Sequence, residues 1–193
     1  METEQVRRPS WDQLFEFAVA QAGLFTTKQA AEAGYSPQLL VHYLRIRRIV
    51  RVQRGVYRLV HYPLADDEQY VMLWLWSEQQ GVFSHQTALR MQGLSDVLPS
   101  RIDMTLPLAW KKRRLRVPSE LILHYADLPK TDRTWWSSVP MTNTRRTLSD
   151  NAAAHLSPEF LLQAFHQALY RGKVARSDIQ DVEQVLKPYL EPA

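Results

Sequence analysis

Residues 26–48 read TTKQAAEAGYSPQLLVHYLRIRR, a stretch with two complete helix-start signals around one glycine. Thr26 and Gln29 form a capping-box pattern, in which hydroxyl and amide each satisfy a backbone donor left over at a helix start. Three alanines favour a short helix, and Gly34 ends it. Ser36 is then an N-cap, and Pro37 fits the first helical position, where its missing N–H costs nothing. Two helices joined by so tight a glycine-containing turn form a helix-turn-helix unit. Such units also serve as protein-interaction modules, so the faces of the second helix decide between readings.

On that second helix, SPQLLVHYLRIRR, the spacing predicts two faces. Leu40, Val41 and Leu44 are expected to pack inward. Gln38, His42 and Arg45 fall at i, i+4 and i+7, so they share one exposed face. Side chains of these types read base edges in a major groove. Upstream, Ser10 precedes WDQLFEFAVAQAG, whose Leu14, Phe15, Ala18 and Ala22 are expected on one buried stripe with Gly23 as the stop.

Downstream comes RIVRVQRGVYRL, residues 48–59, with four arginines and no acid. Strands are expected over residues 49–52 and 56–60, around a Gln53-Arg54-Gly55 turn in which glycine supplies the positive φ. Three helices and then a basic hairpin is the order of a winged helix. A hairpin tip is too thin to compete for the groove, and its cations suit phosphates, so Arg51 and Arg54 are expected there. Thr27, Lys28, Ser36, Tyr43 and Arg48 complete the set expected against DNA from this region.

The charge distribution agrees. Residues 1–62 carry nine Lys/Arg against five Asp/Glu, and residues 63–193 carry fifteen of each, so the net charge of +4 sits in the first third. Local excess of this kind is a polyanion-binding footprint, or else a solvated charged face. With 193 residues, the chain makes one large domain or two small ones. We expect two, residues 1–62 as the DNA-binding domain and 63–193 as a second domain, with HYPLADD as linker. The absence of cysteine excludes disulfides and thiolate metal sites and fits a reducing cytoplasm. No apolar run approaches the roughly 18–20 residues that cross a bilayer. The opening METEQVRRPS lacks the apolar core of a secretory signal. A cytoplasmic protein without a membrane partner is the expectation.

Beyond the linker, EQYVMLWLWSEQQ is apolar on most sides, which predicts a helix buried between layers. GVFSHQTALRMQGL reads as a Ser84-capped helix closed near Gly93. Strand patterns follow at RIDMTL and LILHYADL, and between them lies PLAWKKRRLRVPSE. In that loop Lys111, Lys112, Arg113, Arg114 and Arg116 form either a solvated tip or a second phosphate contact. Three helices are expected after it: one started by Asn143 or Thr144, one by Ser157-Pro158, and one by a Ser177/Gln180 capping box. The fold class is therefore α+β, an N-terminal winged helix-turn-helix followed by a mixed, mainly helical domain.

No catalytic pattern emerges. The six histidines include no i, i+4 pair around an acid, as a zinc hydrolase helix requires. There is no glycine-rich phosphate loop and no G-x-S-x-G elbow. A nuclease would add an acid-x-Lys pair after Asp103, and LILHYADL brings no such lysine. His85 reads as a hydrogen-bonded structural residue, and Asp150 as an ion-pair partner of Arg145 or Arg146. We expect no catalytic residues, no metal site and no cofactor.

Four blocks resemble the AbiEi antitoxins of bacterial type IV toxin–antitoxin (abortive infection) systems. They are GLFTTKQAAEAGYS (23–36), RIVRVQRGVYRL (48–59), GVFSHQTALRMQGLSD (81–96) and VPMTNTRRTLSD (139–150). The most specific pieces are Arg54-Gly55-Val56-Tyr57, Ser84-His85 with Ala88-Leu89, and Thr142 with Arg146-Thr147-Leu148-Asp150. The resemblance implies a winged helix that binds its own double-stranded promoter DNA and represses it. It also implies a C-terminal domain that neutralises a nucleotidyltransferase-like toxin, with or without stable contact, the chemistry lying in the toxin. A winged-helix regulator with no toxin, and an enzyme carrying a DNA-binding domain, are the other functions the residues allow.

Overall fold

The computed structural model describes residues 8–190. Residues 1–7, which hold most of the N-terminal stretch read above for a signal, and residues 191–193 lie outside the described residues. The fold is mixed α/β, with eight α-helices and two sheets among the described residues. Two compact units divide between Gln79 and Gln80.

The first unit runs α1 (Trp11–Val19), β1 (Leu24–Thr26), α2 (Thr27–Glu32), α3 (Pro37–Arg45), β2 (Ile49–Gln53), β3 (Val56–Leu59) and α4 (Glu68–Trp76). The start signals form as their chemistry dictates. Gln29 N–H donates to Thr26 Oγ1 at 3.1 Å, and Thr26 N–H to Gln29 Oε1 at 2.9 Å, closing the capping box. Ser36 Oγ accepts from Leu39 N–H at 3.2 Å, and Pro37 opens α3. Leu14, Ala18, Phe25, Ala30, Leu40, Ile49 and Leu59 make the core beneath these elements. Each large side chain among them contributes roughly 1.5–3 kcal/mol by leaving water.

Several expectations need correction here. Phe15 is 45% exposed, because Trp11, Phe15 and Val19 form their own stripe one helical step from the buried Leu14 and Ala18. Helix α1 stops at Val19, and Ala22 reaches the core from the bend that follows, at φ 52. Helix α3 ends at Arg45, with Arg47 at φ 55, so the last arginines leave the helix. Strand β1 was not legible; it pairs antiparallel with β3, giving the order β1-β3-β2. Gly23, just before it, has φ +82, and a Cβ there would lie 2.6 Å from the Tyr62 ring.

After β3 ends at Leu59 the chain turns through residues 60–62, but α4 packs back onto β1 and β3. Arg58 of β3 donates to Glu68 of α4 at 3.1 Å. The compact first unit therefore extends past residue 62 to include α4.

The second unit runs β4 (Val82–Phe83), α5 (His85–Met91), β5 (Ile102–Leu106), β6 (Leu121–Tyr125), β7 (Arg133–Trp136), β8 (Val139–Thr142), α6 (Thr144–Ala153), α7 (Pro158–Tyr170) and α8 (Gln180–Leu190). Its sheet has the order β6-β5-β4-β8-β7, with β5/β6 and β4/β8 parallel and the other pairs antiparallel. Leu89, Leu148, Leu161, Phe165, Val182 and Leu186 form a core among the helices. Asn143 settles the start of α6, its Oδ1 accepting from Arg146 N–H at 2.8 Å.

Ser157-Pro158 opens α7 as expected, with Ser157 at the N-cap position and Pro158 in the first turn. Two other cap readings fail. Ser84 stands at the N-cap position of α5 without a side-chain cap bond. Ser84 Oγ instead takes a bond from Thr105 Oγ1 at 2.8 Å, because it is fully buried against β5. The Ser177/Gln180 box is replaced by a 3-10 turn over residues 176–179, where Asp178 Oδ2 accepts from Ala175 N–H at 3.3 Å.

Candidate nucleic-acid interface

Helix α3 carries the residues expected to read bases, and the β2–β3 hairpin carries Arg51 and Arg54, expected on phosphates. On α3, Gln38, His42 and Arg45 are all exposed. Seven positions at 1.5 Å each spread them over roughly 10 Å of helix, about three base steps. Val41 was expected inward, yet it is 52% exposed while Leu40 is 3% exposed. Position 41 lies three after 38 and four before 45, so it shares their stripe, and only its apolar character pointed the other way. An exposed valine among polar readers can touch a thymine methyl. Sequence reasoning missed this residue, and the helical spacing would have found it.

Thr27, Lys28, Ser36 and Arg48 are also exposed. Ser36 spends its hydroxyl on the α3 cap. Arg48 stands over the Trp11 ring, 6.0 Å from its centroid. Tyr43 is placed differently. Its ring stacks on Trp11 at 5.9 Å and meets Tyr35 edge-on at 5.4 Å, so the half-buried ring fixes the roll of α3 on the core. Burial and the neighbouring Tyr43 push the Tyr35 phenol up to about 12, which keeps it neutral beneath the helix.

The hairpin turns at Gly55, whose φ is +79. Its carbonyl accepts from Thr27 N–H at 2.9 Å and from Thr27 Oγ1 at 3.3 Å, so the tip is hooked to the start of α2. Arg51 and Arg54 are exposed. Arg51 Nε donates to the Gln53 carbonyl at 3.3 Å, which steadies its guanidinium along the strand. Arg58 is half-buried and committed elsewhere, to Glu68 and to the Tyr62 carbonyl at 2.7 Å. The three hairpin arginines therefore divide in function.

Lys111, Lys112, Arg113 and Arg114 belong to the second unit and are exposed. A 3-10 turn over residues 108–112 carries the two lysines, and the Arg113 guanidinium sits 3.7 Å over the Trp110 ring.

The second unit also gathers a polar cluster. His85, at φ 50, stacks on His124 with ring centroids 3.6 Å apart, and its Nδ1 lies 2.9 Å from Ser84 Oγ. His124 Nε2 meets Asp103 Oδ1 at 2.9 Å. Burial, and then the facing His124, hold the His85 imidazole below its ordinary value. Arg146 pairs with Asp150 at 2.7 Å and with Asp132 at 3.2 Å, while Arg145 takes Asp132 at 2.6 Å. Among the described residues no group of three or more His, Cys, Asp or Glu could hold a metal ion, and no helix is long and apolar enough to cross a membrane.

The segment from α1 through β3 has relatives. Residues 12–60 match the family of AbiEi antitoxin transcriptional regulators. The matched segment contains α2, α3 and the hairpin whole, and so covers the exposed α3 stripe and both exposed hairpin arginines. The chain is also similar to the crystal structure of the RV2827C protein from Mycobacterium tuberculosis. That similarity is 17% identity over 95% of this chain and 83% of that one, with a TM-score of 0.45. No curated protein matches.

Proposed function

We propose that the chain is a DNA-binding autorepressor and the antitoxin of a type IV toxin–antitoxin pair. In this reading the first unit is a winged helix, α3 enters the major groove and the β2–β3 hairpin lies along the backbone. Gln38, Val41, His42 and Arg45 read bases. Arg51 and Arg54, with Thr27, Lys28 and Arg48, hold phosphates and carry no sequence information themselves. The exposed stripe on α3, within a segment matching AbiEi regulators, is the observation that supports the reading most.

The second unit neutralises a nucleotidyltransferase-like toxin, and the protein itself performs no catalysis and works in the cytoplasm. A regulator without a toxin is the second reading, favoured by the one fact that the family match stops at residue 60. Two measurements test the proposal together: binding to the DNA upstream of its own gene, and growth of cells expressing the neighbouring gene with and without this chain. Specific upstream binding with rescue of growth supports both roles. Binding without a toxic neighbour leaves the plain regulator, and no preference for the upstream DNA ends the repressor reading.

A further inference from the structure

The first unit contains a pocket of about 430 Å³ lined by residues of α1, the α3–β2 junction and the turn after β3. This volume lies within the range of small-molecule sites, about 300–1,000 Å³. Its walls are mostly apolar and held in place by the fold. Trp11 stacks on Tyr43 at 5.9 Å and has the Arg48 guanidinium 6.0 Å from its ring centroid, so it is a fixed wall. The Tyr62 ring lies against Gly23, and its hydroxyl donates to the Val19 carbonyl at 3.4 Å. Buried Leu59 lines the pocket as well, and Phe15, 45% exposed, completes the apolar surface. Groups ordered in advance lower the entropic cost of binding.

The charged part of the lining has one sign. Arg48 belongs to it, with the His61 imidazole as a further donor, and no carboxylate does among the described residues. Asp12 and Glu16 of α1 are exposed to solvent and do not line the pocket. Arg48 forms no ion pair among the described residues, so its charge is not offset by a bound acid. A guanidinium offers parallel N–H groups that match a carboxylate.

We infer that this pocket binds an aromatic monocarboxylate. The ring packs against Phe15 and Tyr62, and the carboxylate pairs with Arg48. One cation matches one negative charge, and the apolar wall suits a ring system rather than a sugar. Arg48 also stands among the residues assigned to phosphates, so the bound acid and DNA compete for it. That competition rests on the DNA-binding reading, whereas the pocket does not.

The test is calorimetric titration of the full chain, without DNA, with benzoate, naphthoate and indole-3-acetate. Indole-3-ethanol, which lacks the charge, and acetate, which lacks the ring, serve as comparisons. At least one aromatic acid should bind, with both comparisons weaker by roughly tenfold or more. Arg48→Gln should weaken that acid about 10- to 150-fold, the effect of losing one charge-assisted bond, and leave indole-3-ethanol unchanged. Phe15→Ala should weaken the acid about 2- to 10-fold or more. Both positions are exposed, so thermal unfolding of these variants should match the parent. Saturating acid should also lower the salt slope of duplex binding by about 0.9, the share of one phosphate contact. No binding of any aromatic acid overturns the inference. So does a comparison compound binding as tightly, affinity indifferent to Arg48→Gln, or a dimer that Phe15→Ala dissociates, which would make this face an interface. Duplex binding unchanged by saturating acid overturns the competition alone. Absence of any duplex binding removes the DNA-binding reading and the competition with it, while the titration without DNA still decides the pocket.

Discussion

Removing hairpin arginines one class at a time separates phosphate contact from structural support. Arg51 and Arg54 are exposed, and Arg54 makes no bond that the fold requires. Each phosphate they neutralise releases condensed counterions and contributes roughly 0.9 to the slope of log affinity against log salt. The Arg51→Ala/Arg54→Ala chain should therefore lose about 1.8 from that slope. Its disadvantage relative to the parent should shrink about twelvefold between about 50 and 200 mM salt. Arg58→Ala should behave oppositely. It removes bonds to Glu68 and to the Tyr62 carbonyl, so roughly 1.5–3 kcal/mol of stability is lost and the slope stays. Fluorescence anisotropy of labelled duplex across a salt series reads the slopes, and urea unfolding reads the stability. An unchanged slope in the double variant would refute the phosphate assignment. An equal slope loss in Arg58→Ala would refute the division of labour.

Gly55→Val should weaken binding to every duplex, because φ is +79 while the nearest atom to an added Cβ is Thr27 Oγ1 at 3.7 Å. The penalty is thus conformational, about 1–2 kcal/mol or more for a β-branched residue, and Gly55→Asn should be milder in the same assay. Neutralising Lys111, Lys112, Arg113, Arg114 and Arg116 together should reduce the salt slope of the full chain if the run touches DNA; identical salt titrations would leave it as solvated surface. Because burial and His124 lower the pKa of His85, the unfolded chain binds this proton first as pH falls. Its contribution to stability is full above about pH 6.5 and is lost as pH drops from there toward the folded value. Urea midpoints should accordingly fall between about pH 7.5 and 5.5, and less so in His85→Gln.

The helix starts of the first unit were legible because capping is local chemistry. Thr26, Gln29, Ser36 and Pro37 act within one turn of their own positions, and Gly55 shows its positive φ by being the only residue type that adopts it cheaply. Strands β1, β4, β7 and β8 were not legible, since two to four residues give too little alternation to count and pairing with distant strands stabilises them. Pro140 inside β8 even argues against a strand when read alone. Tertiary competition explains the missing Ser84 cap: its hydroxyl is taken by Thr105, twenty-one positions away. Val41 shows the limit of polarity as a guide to facing. For the candidate interface, the exposed stripe and the two exposed hairpin arginines were visible in spacing and charge, whereas the diversion of Arg58 and the packing of Tyr43 needed contacts that no local pattern carries.

The most direct test of sequence reading by α3 is the ratio of affinities for the upstream operator and for random duplex, measured for the parent and for Arg45→Ala at one fixed salt concentration. If Arg45 reaches a base edge, the operator loses about 1–3 kcal/mol, random duplex changes little, and the ratio collapses by about 5- to 150-fold. Equal losses on both duplexes would make Arg45 a phosphate contact and contradict base reading by this face of α3.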